Sequence, residues 1–163
     1  MQPKFVDLPE MKVVGMGTKF ISIFSPDKNN MKTIPALWGQ FMSQISRITN
    51  RVGGACFGLV EMLPENGGKS HKDEMFYIAA AEVADFDSVP AGMIHRTIPG
   101  GRYASFTHAG TLMGLEKTMN QIYNVWLPKS GVQLRNAPHL EFYDQRFIPD
   151  SDKSEFDILL PLQ

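Results

Sequence analysis

With one cysteine in 163 residues, the chain has no means of closing an internal disulfide. Cys56 sits in GACFGLV, a small, apolar setting that suits a buried reduced thiol; a nucleophilic role would need a cation or a helix N-terminus beside it. No apolar run approaches the roughly 18 residues of a membrane span, so no membrane partner is expected. The opening MQPKFVDLPEMK carries an acid and a proline where a secretory signal needs an apolar stretch, and a cytoplasmic location is expected. Basic residues number 16 against 17 acids and are scattered, which leaves no clustered basic face for nucleic acid. Direct nucleic-acid binding is therefore not expected. His71, His95, His108 and His139 form no HxxxH or HExxH pair, so no metal is expected. The GMG at 15–17 lacks the rest of a dinucleotide fingerprint and reads as a bulge or close backbone approach within a strand, so no cofactor is expected either.

What the sequence does have is a weak duplication. A chain of this length fits one domain, here 1–163. LPEMKVVGMGTKF at 8–20 aligns with IPGGRYASFTHAG at 98–110, pairing Pro9 with Pro99 and Lys12 with Arg102. An amphipathic helix follows in each half. Ile34, Leu37, Trp38, Phe41, Ile45 and Ile48 make the first stripe, with Thr33 as candidate N-cap and Pro35 in the first turn. Leu112, Leu115, Met119, Ile122 and Trp126 make the second, with Thr111 as cap and Pro128 as the stop. Two strand-like runs close each half: Cys56–Met62 and Met75–Val83 in the first, His139–Asp144 and Glu155–Leu162 in the second. The turn-rich stretch Pro64–Lys72 reads as the most mobile surface loop.

The order strand, helix, strand, strand, written twice over about 1–86 and 87–163, predicts an α+β fold: an antiparallel sheet with two main helices. One such unit buries a thin core, whereas two joined edge to edge enclose a seam, and pockets favour such junctions.

Several segments in order resemble the GyrI-like superfamily, which includes the effector-binding domains of AraC-type regulators. They are IPGGRYASFTHAG, WLPKSG at 126–131, LEFYD at 140–144 and the closing EFDILLPL; LPEMKVVG, IPALWGQF and FYIAAAEV match more loosely. The resemblance covers nearly the whole chain. It implies a groove on a pseudo-twofold axis and a glutamate, here Glu141, that meets cationic or polar ligands. The VQLRNAPH that follows WLPKSG departs from the family pattern, as does the long loop at 64–74.

Strand alternation places His139, Glu141 and Tyr143 on one face and turns Leu140 and Phe142 to the other, toward the helices. From alternation alone the plainer reading of the first face is solvated surface; the resemblance assigns Glu141 to the groove. Trp38 lies at the edge of its stripe, where a ring serves either the core or a groove wall and offers a face to a cation. Tyr77, which shares its face with Ala79 and Ala81, and Phe57 are further candidates, equally readable as sheet packing. Ten methionines suit a site that accepts varied ligands, although most read as core filler.

The resemblance implies a stand-alone sensor or sequestering protein, acting in transcription regulation, for small cationic or aromatic molecules. The alternatives are a hydrolase using the groove glutamate and a gyrase-inhibitor-like protein. The first repeat opens at Leu8, so any transcriptional effect is expected to need a regulatory protein partner. Nothing in the sequence fixes an oligomeric state.

Overall fold

In a computed structural model, which describes residues 1–64 and 71–163, the strand-like runs form one antiparallel sheet. Its strands are β1 (Lys4–Leu8), β2 (Met11–Ile21), β3 (Arg51–Met62), β4 (Glu74–Val83), β5 (Ile94–Ile98), β6 (Gly101–Ala109), β7 (His139–Tyr143) and β8 (Glu155–Pro161). The order across the sheet is β1-β6-β8-β7-β3-β4-β2-β5. Outward from the β3–β7 pair, one direction reads β4, β2, β5 and the other β8, β6, β1. Each edge strand therefore pairs with a strand distant in the chain: β1 with β6, and β5 with β2. The aligned Pro9 and Pro99 fall in the corners between β1 and β2 and between β5 and β6, where a missing backbone donor breaks no ladder. The expected loop at Pro64–Lys72 falls mostly on residues outside the described ones.

The first helix, α1 (Asn30–Gln44), begins a turn before the expected start: Asn29, not Thr33, is the N-cap, and Pro35 lies inside the helix. Leu37 and Phe41, at 5% and 0% exposure, anchor it to Val14, Tyr77 and Ala79. The second helical segment is α2 (Leu115–Asn120), a π turn at Gln121–Trp126, and α3 (Leu127–Ser130). Pro128 does not stop it. The proline occupies the first turn of α3, where its absent N–H needs no partner. The stop falls at Gly131, whose φ of +69° is the left-handed conformation that ends helices.

Two apolar cores form over the helix-bearing face, one under α1 and one under α2 and its continuation, where Ile122 is fully buried. The other face has no helix among the described residues, yet Met11, Val13, Phe57, Ile78, Ile98, Tyr103, Leu140 and Leu159 form a single cluster on it. Strands from both flanks of the sheet meet in that cluster, so the sheet curls with its helix-free face inward. Gly15 on β2 is a close backbone approach: a Cβ there would overlap the Ala79 carbonyl of β4.

Candidate functional site

The curl decides where a ligand can enter. The inward face is filled by apolar side chains, so the open space lies outside, between the helices. A cleft of about 870 Å³ is walled by Met31, Ile34, Trp38 and Met42 of α1 on one side and by Leu112 and Leu115 on the other. Its floor is the β3–β7 seam, from which Cys56, Glu141 and Tyr143 contribute, and Phe147 and Pro149 close the end.

Glu141 and Tyr143 therefore share the helix-bearing face, and Leu140 and Phe142 belong to the helix-free core. The sequence-based orientation is reversed. Alternation fixes which residues travel together but not which set meets the helices, and here the helices stand apart and leave the middle of the sheet uncovered.

Glu141 is 8% exposed and holds the centre of a polar cluster. Its Oε2 accepts hydrogen bonds from Tyr77 Oη at 2.5 Å and from Tyr143 Oη at 2.9 Å. Tyr77 Oη in turn accepts one from Trp38 Nε1 at 3.0 Å, which joins the helix to the floor. Both tyrosines spend their hydroxyls on one oxygen, and among the described residues Oε1 receives no hydrogen bond and Glu141 has no cationic partner. Burial pushes the carboxyl above its usual range, partly offset by the two tyrosine bonds. Tyr77 and Tyr143 are driven up as well, by burial first and then by the Glu141 charge, so both hydroxyls keep their protons and remain donors.

Tyr77 is fully buried and acts from behind the carboxylate, bracing it without lining the cleft. Trp38 lines the cleft, with its ring edge-on to Tyr143 at 5.2 Å and to Tyr77 at 6.4 Å. Tyr143 is also stacked on Phe156 and set edge-on to Phe147.

Two candidates stand elsewhere. Phe57 is on the helix-free face against Phe142, at 5.3 Å, because it alternates with Cys56 and Gly58 on β3. His139 is on the correct face but beneath the π turn, outside the cleft. It stacks on Tyr123, whose Oη is hydrogen-bonded to Nδ1, and burial lowers its pKa to about 4, so the ring is neutral. Asp144 borders the cleft, but Arg146 Nε engages it at 2.9 Å and holds its carboxyl below the usual range, so its charge is already spent.

Gly58 was not singled out by the sequence. It pairs with Glu141 across β3 and β7. A Cβ on it would overlap Tyr77 Oη and lie 2.7 Å from Glu141 Oε2. A side chain on the other central strand would fill the space the carboxylate needs, so one strand supplies the acid and its neighbour the room. The only sequence signal is a glycine inside an apolar strand, which marks a close approach without naming what approaches. Cys56 lines the floor, and burial pushes its thiol up, as a reduced and unreactive group requires. No group of His, Cys, Asp and Glu among the described residues is arranged to hold a metal ion, and no described helix is long and apolar enough to cross a membrane.

Comparison with known proteins identifies the family and the fold. The family model described as GyrI-like small molecule binding domain matches residues 1–163. The chain is 30% identical over 164 residues to the transcriptional regulator BrlR of Pseudomonas aeruginosa, covering 99% of this chain and 56% of BrlR. It thus spans about half the length of the curated relatives it matches. The fold is similar to that of SAV2435 bound to tetraphenylphosphonium, with a TM-score of 0.75 at 16% identity over 100% of this chain and 94% of that one. It is also similar to EcmrR, solved in a complex with DNA, with a TM-score of 0.67 at 20% identity over 99% of this chain and 57% of that one. The chain belongs to the GyrI-like family of small-molecule-binding domains, related to transcription regulators.

Proposed function

We propose that the cleft captures amphipathic organic cations, with Glu141 as the counter-charge, and that this capture serves ligand sensing in transcription regulation inside the cell. One observation carries the reading: a buried carboxylate, without a cationic partner among the described residues, forms the floor of an apolar, aromatic-walled cleft. The fold has already desolvated the carboxylate and oriented it through Tyr77 and Tyr143, so an arriving cation does not bear that cost again. A charge about 4 Å from Oε1 gains on the order of 4 kcal/mol at an effective dielectric near 20. The face of Trp38 adds roughly 0.5–2 kcal/mol. Ligand bulk is met by Ile34 and by Met31 and Met42, whose unbranched thioether chains repack around different shapes. The tetraphenylphosphonium held by SAV2435 has this chemistry, and a net charge of −1 supports regulation without direct nucleic-acid contact by this segment.

Titration with tetraphenylphosphonium, followed through tryptophan emission in a Trp126→Phe background so that Trp38 alone reports, tests the proposal. Glu141→Gln keeps the shape and removes the charge, and it is expected to weaken binding about 10- to 100-fold, as loss of a charge-assisted contact does. Equal affinity in the variant rejects Glu141 as the anchor. Turnover of an electrophilic ester panel that is abolished by Glu141→Gln would instead favour hydrolysis.

A further inference from the structure

A second polar group lines the cleft and is as unusual as Glu141. Asn30, the first residue of α1, is 6% exposed, and its Oδ1 is buried with no hydrogen-bond partner. Its neighbour Asn29 has a structural task, since its Oδ1 accepts the Ile21 backbone N–H at 2.7 Å. Asn30 has none: neither end of its carboxamide bonds to another described residue. A buried polar group left unpaired costs about 1–3 kcal/mol, and folds seldom retain one without a use. Asn30 and Glu141 line the same cleft from different elements. Trp38, which is linked to Glu141 through Tyr77, lies eight residues further along α1, so Asn30 stands about 12 Å from Trp38 along the helix axis at 1.5 Å per residue. The two polar groups are thus set apart along the cleft, with apolar wall between them.

We propose that Asn30 is a second recognition point of the same cleft and that the preferred ligands are organic cations with a hydrogen-bonding substituent, such as an aryl amine or hydroxyl, at the end remote from the charge. The inference rests on the cation reading above and narrows it: Glu141 selects for charge, Asn30 for a polar far end, and the apolar walls for the rings between. A bare hydrophobic cation satisfies only the first and third.

The test compares ethidium, a quaternary phenanthridinium with two aryl amines, with 5-ethyl-6-phenylphenanthridinium, the same skeleton without them. Wild type is expected to bind ethidium about 3- to 10-fold more tightly, the worth of a neutral hydrogen bond. Asn30→Leu, which matches the shape of the carboxamide but cannot hydrogen-bond, should erase that preference, so that the two compounds bind the variant with equal affinity. Its melting temperature should equal or exceed that of wild type, because an unsatisfied polar group has been removed. A lower melting temperature with the preference intact would make Asn30 structural and overturn the proposal. An equal loss for both ligands, or no loss for either, would overturn it too. If Glu141→Gln leaves both affinities untouched, the cation reading itself fails; if it weakens both while Asn30→Leu changes neither, only the second recognition point falls.

Discussion

Gly58→Ala offers a demanding check of the site's geometry, because it adds one methyl group at a position that touches no ligand group directly. An added Cβ overlaps Tyr77 Oη and approaches Glu141 Oε2 to 2.7 Å, so at least one of the two must move. Forcing a methyl into packed space costs typically ~1–3 kcal/mol. Parting Tyr77 from the carboxylate forfeits a hydrogen bond to a charged group, about 1.5–3 kcal/mol more. Together these give about 2.5–6 kcal/mol, or a melting temperature lower by roughly 5–24 °C for a chain of this size. Calorimetry reads the loss directly. The pairing also predicts a rescue: Tyr77→Phe removes the oxygen that the methyl strikes, so the double variant should be more stable than the summed single effects by at least ~1 kcal/mol. A Gly58→Ala protein with wild-type melting and wild-type tetraphenylphosphonium affinity would refute the arrangement of Gly58, Tyr77 and Glu141 described here.

The raised pKa of Glu141 gives a pH dependence of definite sign. The empty folded protein holds the Glu141 proton more tightly than the unfolded chain does, so its contribution is favourable at low pH and is lost as pH rises above 4.5 through the folded value. Glu141→Gln should therefore be at least as stable as wild type at pH 8, with the difference shrinking toward pH 4.5, as thermal melts across pH will show. A cation favours the ionised form, so wild-type affinity should fall as pH drops through the same window, by at most tenfold per unit, while the Gln variant stays flat in a parallel titration. Cys56 supplies a chemical readout of occupancy, since it lines the floor and its thiol is held protonated by burial. Its reaction with iodoacetamide at pH 8 should be slow, and saturating tetraphenylphosphonium should slow it at least several-fold, measured by mass spectrometry.

The parts of this molecule that repeat a simple period were legible in its sequence. Leu37, Phe41 and Ile122 are buried as their helical spacing requires, and the α+β order follows from runs such as FYIAAAEV and LEFYD. β1 and β5 were not legible, because KFVDL and IHRTI are short and mix polar with apolar residues, as edge strands do. The helix limits differ from expectation at both prolines: Pro35, expected in the first turn, lies further inside α1, and Pro128, expected as the stop, opens α3, with Gly131 marking the end. At the site, alternation grouped Glu141 with Tyr143, but the side on which the helices pack depends on the curl of the whole sheet, a non-local property. That same curl sends Phe57 into the inner core and fills the face where a groove was expected. The close approach at Gly58 and the unpartnered carboxamide of Asn30 are set by what other elements place, or do not place, beside them, and no local pattern encodes either.

The central claim is that charge, and not shape alone, selects what enters the cleft. Tetraphenylphosphonium and tetraphenylborate are nearly the same size and shape and carry opposite charges. Isothermal titration of the wild-type chain with each, at pH 8 and moderate salt, should show the phosphonium binding at least ~100-fold more tightly, as a buried lone carboxylate requires. Comparable affinities, or a preference for the borate, would contradict the account.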